Sequence, residues 1–321
     1  MLTVGDGVGT GKVFHYVNGK YDLHQRCYRM YDFTDELNAH YFYHTFSKLF
    51  YKRVMAMTAK TSVDSVRLEM IADMEIPAPK IDEQIKIGTY FDNLDHLITL
   101  HQRKCEQTKN LKKYMLQKMF PQNGAKVPEI RFNGFTHDWE QRKLGELGEI
   151  MTGSTPSTSK PEYYSEDGIP WVTPTDINAL TISDTPKKLS EEGIKVGRVV
   201  PANTILCTCI ASIGKNALLT VRGSFNQQIN SLTPSAENDS YFLLTESELW
   251  SEKMKRMAAS GTMQIVNKTE FSELITMVPS LNEQKIIGSY FHNLDHLITL
   301  HQRQCDELKK MKKYMLQNMF I

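Results

Sequence analysis

The stretch EQIKIGTYFDNLDHLITLHQRKCEQTKNLKKYMLQKMF at residues 83–120 recurs 200 residues later as EQKIIGSYFHNLDHLITLHQRQCDELKKMKKYMLQNMF at residues 283–320. The two copies align without a gap, and 27 of the 40 positions in 81–120 are identical to their counterparts in 281–320. Self-similarity of this extent at a fixed spacing indicates one structural unit that is used twice.

Each copy predicts one long helix. Apolar or small residues recur in steps of three and four from Ile87 to Met119, proline is absent, and charged residues fill the other positions. A helix of about 38 residues is about 57 Å long. One such helix alone would expose its apolar seam, so we expect the two copies to pack on each other in antiparallel orientation, with a globular domain at each end. The residues expected at this seam are Phe91, Leu94, Ile98, Leu111, Met115, Phe291, Leu294, Ile298, Met311 and Met315.

The composition predicts a two-domain protein. The 321 residues are 40% apolar and 23% charged, which is enough material for two ordinary cores. The net charge of +1 indicates no particular partner, so DNA binding would have to come from local placement of side chains. Five cysteines, spread from Cys27 to Cys305, indicate reduced thiols rather than a disulfide framework. Since neither a signal peptide nor a membrane-spanning stretch is recognisable, we predict a cytoplasmic protein without membrane contact.

Between the two helices, short apolar runs alternate with Gly, Pro, Ser, Thr and Asn. Strands are predicted at IPWVTP from Ile169, TILCTCIA from Thr204, NALLTV from Asn216 and INSLTP from Ile229, and an amphipathic helix is predicted from Ser240. The expected fold class is therefore α+β, with mixed α/β domains separated by two long antiparallel coiled-coil helices.

Residues 1–80 resemble the second half of the domain between the helices. The run GTGKVFHYVNGKYDLHQ lines up, with one gap, with ASIGKNALLTVRGSFNQQ, which matches Gly11 to Gly214 and Lys12 to Lys215. The predicted order is a partial domain at 1–80, a helix at 81–121, a complete domain at 122–280 and a second helix at 281–321.

The glycine-rich run GDGVGTGKV at residues 5–13 does not fit a nucleotide site. A Walker loop requires Ser or Thr after Gly-Lys, but Val13 follows Lys12. A dinucleotide-binding motif requires a final glycine, and the two possible patterns in this run have Thr10 and Lys12 at that position. The matching second turn keeps Gly-Lys and replaces the other glycines. The run is therefore interpreted as a turn between strands whose lysine and backbone contact DNA phosphates.

No catalytic residue, cofactor or metal site is predicted. Two histidines occur at matching positions in both copies of the repeat, and their spacing of five residues puts the two on different faces of each helix. They are interpreted as surface or seam residues: His96, His101, His296 and His301.

Three stretches resemble the specificity subunit of type I restriction-modification systems. They are PEIRFNGFTHDWEQRKLGEL at 128–147, PSLNEQKIIGSYFHNLD at 279–295 and KKYMLQNMF at 312–320, and the resemblance covers the whole chain. In that family each target recognition domain reads one half of a gapped DNA site in the major groove, and the paired helices space the two domains. The resemblance implies a non-catalytic DNA-binding protein without a cofactor, whose partners are double-stranded DNA, two methyltransferase (modification) subunits and ATP-dependent restriction subunits.

The loops of the complete domain carry the residues that we expect to face DNA. Lysines suit phosphates, which position a protein without specifying a sequence, while amide side chains match the paired donor and acceptor of adenine. The candidate DNA-binding residues are Thr152, Ser154, Thr155, Lys160, Thr173, Thr175, Ser212, Lys215, Asn226, Gln227 and Gln228, together with Lys12 from the first part of the chain.

Residues 1–80 depart from the family pattern because they lack a counterpart of the opening that holds Arg131, Phe132 and Trp139. Half of a β-rich domain exposes a sheet edge and an open core. One hypothesis is that a separate polypeptide or a second copy of this chain supplies the missing half. Another is a truncated or silent specificity subunit that binds methyltransferase but reads DNA poorly. A structural or inhibitory protein that bridges partners through its helices, and a nucleotide-binding enzyme built on the glycine run, are the remaining alternatives.

Overall fold

The computed structural model describes residues 1–4, 11–57, 65–122, 124–260 and 265–319. The helices are α1 Ala39–Met57, α2 Leu68–Ala72, α3 Ile81–Lys118, α4 Leu144–Leu147, α5 Glu191–Val196, α6 Ser240–Ser260, α7 Lys268–Ser272 and α8 Leu281–Asn318, with a 3-10 turn at Pro161–Tyr163. The strands are β1 Leu2–Val4, β2 Phe14–His15, β3 Cys27–Arg29, β4 Glu140–Lys143, β5 Gly148–Thr152, β6 Tyr164–Val172, β7 Thr181–Ile182, β8 Lys188–Leu189, β9 Val199–Val200, β10 Thr204–Thr208, β11 Asn216–Leu219, β12 Gly223–Phe225, β13 Ile229–Pro234 and β14 Ile275–Val278. The α+β class is confirmed, as are the two helices of 38 residues each.

The chain forms two compact units. Unit 1 comprises Met1–Gln107 with Ile298–Ile321, and unit 2 comprises Thr108–Leu297. Each unit therefore takes part of both long helices. Residues 5–10, which hold most of the glycine run, lie outside the described residues.

Unit 2 has two larger sheets and a third, two-stranded sheet of β4 and β14. One sheet has the order β5-β13-β10-β11-β7, and the other has the order β8-β6-β12-β9. The central strand β10 is buried along its whole length because both of its faces are covered. Leu206 joins the core between the two sheets, whereas Ile205 and Cys207 join the core under the helices, as the alternation of side chains along a strand requires.

The segment before β4 fastens the unit 2 sheets to the start of α8. Arg131 donates from Nε and Nη2 to the two carboxylate oxygens of Glu283, at 2.7 and 2.8 Å. The rings of Phe132 and Tyr290 meet edge to face at 6.0 Å, and Trp139 lies in the helix-side core. Glu283 is 1% exposed, so this bidentate contact is a buried one, and charge-assisted bonds of this kind are among the strong ones.

Unit 1 repeats the central strands of unit 2 in the same order and register. Its sheet has the order β2-β1-β3, in which Leu2 lies opposite His15 and Arg29. When 203 is added to each of these three residue numbers, the result is Ile205 and its two strand partners in unit 2, and the corresponding strand order is β11-β10-β13. The helices α1 and α2 follow the unit 1 strands as α6 and α7 follow those of unit 2.

The Gly-Lys turn also recurs, and it faces the same helix position in both units. Gly11 and Gly214 have φ angles of +68° and +81°, a backbone region that favours glycine. A Cβ on Gly11 would lie 3.7 Å from the Tyr51 ring, and one on Gly214 would lie 2.9 Å from Cβ of Ser251. The alignment of the two turns made from sequence therefore holds in the structure.

Within each unit, α3 and α8 pack in antiparallel orientation, as predicted. In unit 1, Lys312 Nζ contacts both carboxylate oxygens of Asp95 at 2.6 and 2.7 Å, and Cys105 Sγ lies 3.8 Å from the Ile298 carbonyl. Residues of increasing number in α3 thus contact residues of decreasing number in α8, which is the antiparallel orientation. In unit 2, Lys112 Nζ lies 2.8 Å from Asp295 Oδ1, which is the same pair with the helices exchanged.

Two of the predicted seam residues are wrong. Leu111 and Met311 are 41% and 48% exposed, while the residues that follow them, Lys112 and Lys312, turn inward. Seam positions alternate in steps of four and three residues. From Cys105 a step of three leads to residue 108, and the next step of four leads to residue 112, so residue 111 is not a seam position. Of the other residues expected at the seam, Phe91, Leu94, Ile98, Phe291 and Leu294 are buried, and Met115, Ile298 and Met315 are partly buried.

His101 and His301 meet across the helix pair of unit 1. Their Nδ1 atoms are 3.2 Å apart and both side chains are half-buried, while His96 and His296 are exposed. Burial, His301 and Lys104 together lower the pKa of His101 below its usual value, which favours the neutral ring that a hydrogen bond between two imidazoles requires.

No helix in the described part of the chain combines the length and apolar character that a bilayer crossing needs.

Candidate nucleic-acid interface

One edge of the unit 2 sheets collects the loops that hold the candidate DNA-binding residues. Strand β12 runs parallel to β6, with Phe225 beside Val172, so these two strands end at the same edge. Strand β13 begins there, and its antiparallel neighbours β5 and β10 end opposite Asn230 and Ile229. The loops after β5, β6, β10 and β12 therefore emerge side by side, because strand direction and register fix where each strand ends.

The loop after β5 is fastened to the turn after β12. Ser154 N donates to the Phe225 carbonyl at 2.9 Å, and Trp171 Nε1 donates to the Ser154 carbonyl at 3.1 Å. A Cβ on Gly153 would lie 2.1 Å from the Asn226 carbonyl oxygen, so only glycine permits this approach. These contacts hold the following hydroxyl-rich residues, 155–160, at the sheet edge.

The turn at 226–228 divides its amide side chains between two roles. Asn226 is 8% exposed, its Oδ1 accepts from Gln228 N at 3.0 Å, and its Nδ2 donates to Gln228 Oε1 at 3.2 Å. Gln227 is exposed, and its Oε1 accepts a hydrogen bond from the Thr155 hydroxyl. Asn226 and Gln228 thus shape the turn, while Gln227 presents an amide to solvent.

The first residues after β6 form a small hydrogen-bonded turn. Asp176 Oδ2 accepts from Thr173 N at 2.8 Å and from the Thr173 hydroxyl at 2.6 Å. Thr175 is exposed, with its hydroxyl 2.8 Å from that of Thr173. Thr173 is thereby used inside the turn, and Thr175 lies at its surface.

The turn between β10 and β11 presents Lys215. Thr208 Oγ1 donates to the Ser212 carbonyl and accepts from Lys215 N at 2.9 Å, which closes the turn. Ala211 has a φ of +62°, which is unfavourable for a residue with a side chain and marks local strain. Lys215 is exposed and lines a cavity of about 490 Å³ together with Lys255 from α6.

The remaining predicted residues lie as follows. Thr152 ends β5, and its hydroxyl donates to Asn230 Oδ1 at 2.7 Å. Lys160 is exposed, and its hydrogen bond to the Tyr163 hydroxyl raises the pKa of this lysine, so the ammonium group stays charged. Lys12 belongs to unit 1, where its Nζ lies 4.5 Å from the centre of the Tyr51 ring. The structure therefore places all predicted residues except Lys12 at the end of β5 or in the loops after β5, β6, β10 and β12 of unit 2.

Arg198 was missed by the sequence analysis. It precedes β9, its backbone N donates to the Ser154 hydroxyl at 3.0 Å, and its Nη1 donates to the Thr152 carbonyl at 2.6 Å. The exposed guanidinium thus lies at the base of the same loops. Arginine in such a position suits contact with guanine or phosphate. The sequence analysis missed it because it lies 38 positions after Lys160 in a stretch that carries no recognisable motif.

The chemistry of this edge is that of hydrogen bonding and positive charge. Among the described residues, no three His, Cys, Asp or Glu side chains are grouped in a manner that would hold a metal ion. The edge offers hydroxyls, one outward amide and the cations of Lys160, Arg198 and Lys215, which are the groups that contact phosphates and base edges.

Comparison with known proteins identifies the family. The family described as "Type I restriction modification DNA specificity domain" matches residues 1–110 and 136–310. A Methanocaldococcus jannaschii protein named "Type I restriction enzyme MjaIX specificity subunit" is 30% identical over 191 residues, which are 57% of this chain and 44% of that protein. The "Type I restriction enzyme HindI specificity subunit" of Haemophilus influenzae is 30% identical over 171 residues, 50% of this chain and 37% of the relative. The matched part thus spans less than half the length of these two curated relatives.

A solved structure supports the fold. The chain resembles the "Type-I restriction-modification system S subunit from M. genitalium" with a TM-score of 0.65 at 15% identity, covering 89% of this chain and 73% of the other. Since the family match extends over both parts of the repeat, this protein belongs to the family of type I restriction-modification specificity subunits.

Proposed function

We propose that the chain is a non-catalytic specificity subunit that reads a gapped, two-part DNA site and docks methyltransferase subunits on its long helices. The observation that carries the DNA-reading part is the convergence of four polar loops at one edge of unit 2. Binding residues commonly lie on loops that a rigid scaffold, such as the strands of a sheet, holds in position.

The side chains at this edge support a division of labour. Lys160, Arg198 and Lys215 suit phosphates, whose contacts fix orientation without reading sequence. Gln227 is the favoured base reader because its amide is exposed, and glutamine pairs with adenine through one donor and one acceptor. Its hydrogen bond from Thr155 supports a fixed orientation before DNA arrives.

We further propose that residues 1–80 form the carboxyl-terminal part of a first target recognition domain. The identical register around Leu2 and Ile205, and the repeated Gly-Lys turn, support this assignment. Lys12 would then contact a phosphate of the other half-site, as Lys215 would in unit 2. In this proposal residues 81–121 and 281–321 are the two spacer helices, and residues 122–280 are the complete second domain.

The exposed apolar residues of the repeat support docking of two partners. Leu111 and Tyr114 on α3, and Met311 and Tyr314 on α8, are solvent-exposed at matching positions. Large exposed apolar side chains grouped on one helix are typical of interaction sites. A repeated surface fits two copies of one partner, and a type I methyltransferase subunit is the partner that the family membership favours, with the restriction subunits joining the resulting complex.

Methylation mapping tests the proposal. The full chain is mixed with methyltransferase subunits, S-adenosylmethionine and genomic DNA, and the methylated adenines are sequenced. We expect a gapped two-part motif, because each recognition part reads one half. A complex that forms but methylates nothing would contradict DNA reading and favour the silent-subunit alternative.

A point variant tests the assigned base reader. Gln227→Ala should relax the motif at one or two positions of a single half-site, since a good bidentate contact contributes about 1–3 kcal/mol of base discrimination. Gln141→Ala is the matched control, because Gln141 is an exposed glutamine of unit 2 on β4, outside these loops. An unchanged motif with Gln227→Ala would remove this residue from the reading surface.

A further inference from the structure

Two copies of one histidine face each other across the helix pair of unit 1, and the function proposed above does not use them. His101 on α3 and His301 on α8 occupy the same position of the repeat, 200 residues apart. Their Nδ1 atoms are 3.2 Å apart, and their ring centres are 5.3 Å apart. The antiparallel pairing thus brings two equivalent imidazole nitrogens to one point between the helices.

The separation of the two nitrogens fits a metal ion held between them. Zinc binds imidazole nitrogen at about 2.0–2.1 Å, and two nitrogens at that distance with a tetrahedral angle between them lie about 3.3 Å apart. The observed separation of 3.2 Å is close to this value. A bound ion therefore requires the two nitrogen lone pairs to turn toward a common point, without a movement of the helices.

The protons of the two rings permit this exchange. In the present hydrogen bond one Nδ1 atom donates its proton and the other accepts it. A metal ion uses the lone pair of both Nδ1 atoms, so the donating ring changes tautomer and carries its proton on Nε2 instead. Both rings remain neutral, and the exchange needs no further reactant.

The pair lies where an ion and its water ligands can reach it. Both histidines are half-buried, so part of each side chain is accessible to solvent. Cys105, one turn after His101, has its Sγ 3.8 Å from the Ile298 carbonyl and 3.8 Å from Gln302 Oε1, so its thiol is engaged between the helices. Within the described residues no group of three His, Cys, Asp or Glu forms a site made of protein ligands alone. Two imidazoles and water would therefore complete the coordination, as in zinc sites that keep open positions.

The charge around the pair does not exclude a cation. Lys104 contributes, after burial and His301, to the lowered pKa of His101. This lysine is exposed, and water and salt screen the repulsion that an exposed charge exerts. The neutral imidazole is also the form that binds metal ions.

We propose that His101 and His301 form a two-histidine site for a divalent transition metal of the zinc class, which holds α3 and α8 together in unit 1. Imidazole suits zinc, copper and nickel ions, whereas Mg²⁺ and Ca²⁺ prefer oxygen ligands. An ion that binds the folded chain in preference to the unfolded chain stabilises the fold. Since unit 1 requires the Ile298–Ile321 segment, this site would fasten that segment to α3.

Calorimetric titration of the full chain with Zn²⁺ tests the proposal on the wild type, His101→Gln, His301→Gln and the double variant. Glutamine keeps a donor and an acceptor for the neighbouring ring but is not a usual zinc ligand. Either single variant should weaken one binding event about tenfold or more, because even a change behind a ligand costs about 10–100-fold in metal affinity. The double variant should lose little more than either single one, since each alone breaks a shared site.

His96→Gln and His296→Gln are the matched controls, because these exposed histidines precede the pair by five residues on the same helices. Both should leave the Zn²⁺ affinity unchanged. In urea unfolding, Zn²⁺ should raise the midpoint of the wild type and of the controls, but not that of His101→Gln or His301→Gln, and Mg²⁺ should have no such effect.

Three results would overturn the proposal: no Zn²⁺ binding by the wild type, equal binding by the wild type and both single variants, or losses that add in the double variant, which would place the histidines in separate sites. If a variant fails to fold, hydrogen exchange of the wild type decides. Slower exchange around residues 101 and 301 with Zn²⁺ supports the site, and unchanged exchange there contradicts it.

Discussion

Glu246 shows how a single buried carboxyl is stabilised within unit 2. The Thr276 hydroxyl donates to Glu246 Oε1, and Trp250 Nε1 donates to that hydroxyl at 3.2 Å. Within the described residues Glu246 Oε2 has no hydrogen-bond partner, and the side chain is fully buried. Burial raises the pKa of Glu246 to about 8, so the carboxyl is protonated at neutral pH.

Glu246→Gln should change the pH dependence of stability. Because the folded pKa is raised, the folded chain keeps a proton that the unfolded chain releases above about 4.5. The free energy of unfolding of the wild type should therefore fall between pH 4.5 and 8 relative to the variant, by up to ~1.4 kcal/mol per pH unit. Urea unfolding at several pH values measures this difference.

The control for this experiment is Glu252→Gln. Glu252 is exposed on the same helix, and its contact with Lys255 lowers its pKa. A raised pKa and a lowered pKa in the folded state give opposite slopes of the free energy of unfolding against pH, so Glu252→Gln should not reproduce the effect of Glu246→Gln. A wild type and Glu246→Gln that differ by the same amount at pH 5 and pH 8 would show that Glu246 ionises normally.

At the scale of elements, the two long helices share most of their sequence yet differ in the contacts of their seam lysines. Lys112 is 12% exposed and lies between Asp295 and Glu248. Burial lowers the pKa of Lys112, but these two carboxylates outweigh burial and raise it overall. Lys312 has Asp95, which is 40% exposed. The same residue pair is therefore more desolvated in unit 2.

Lys112→Met should destabilise the protein more than Lys312→Met. Lys112→Met breaks the pair with Asp295, a 9% exposed carboxylate, and breaking a buried pair costs about 3–5 kcal/mol. Removing Lys312 affects a solvated pair, for which about 0–1 kcal/mol is expected. Unfolding in urea, followed by circular dichroism, measures both.

Lys113→Met and Lys313→Met are the controls for this comparison, since both lysines are exposed on the neighbouring positions. Each should change the free energy of unfolding only slightly. Equal losses for Lys112→Met and Lys312→Met would contradict the assignment of the more desolvated pair to unit 2.

At the scale of the whole molecule, chain order and compact units do not coincide. Unit 2 is a continuous stretch, Thr108–Leu297, whereas unit 1 needs Ile298–Ile321 from the far end of the chain. The reason is packing: Leu308, Met315 and Leu316 of α8 lie against the cluster that contains Tyr41 and Phe91. Unit 1 is therefore complete only after the last helix has been made.

Ending the chain after Leu297 should harm unit 1 selectively. Removal of the α8 segment uncovers Phe91, which is fully buried, and its neighbours in that cluster, and exposure of apolar area weakens a fold in proportion. Hydrogen exchange should show lost protection in α1 and retained protection in β10 and β13. Loss of protection in both units, or in neither, would contradict this division of the chain.

The sequence by itself determined the repeated helices, their antiparallel pairing and the α+β class. Periodicity and repetition are local signals, and they predicted where α3 and α8 begin and located four of the unit 2 strands. The alignment of Gly11 with Gly214 likewise anticipated the shared register, because turn residues carry local backbone requirements.

The tertiary structure alone decided which side chains meet. It placed Lys112 rather than Leu111 in the seam, because burial along a helix depends on the rotation that its partners impose and on carboxylates such as Asp295 that accept the charge. It joined Arg198 to Ser154 across 44 residues and turned Asn226 inward, since the ends of strands meet by register and not by sequence distance. Contacts between distant residues are what a single sequence does not display.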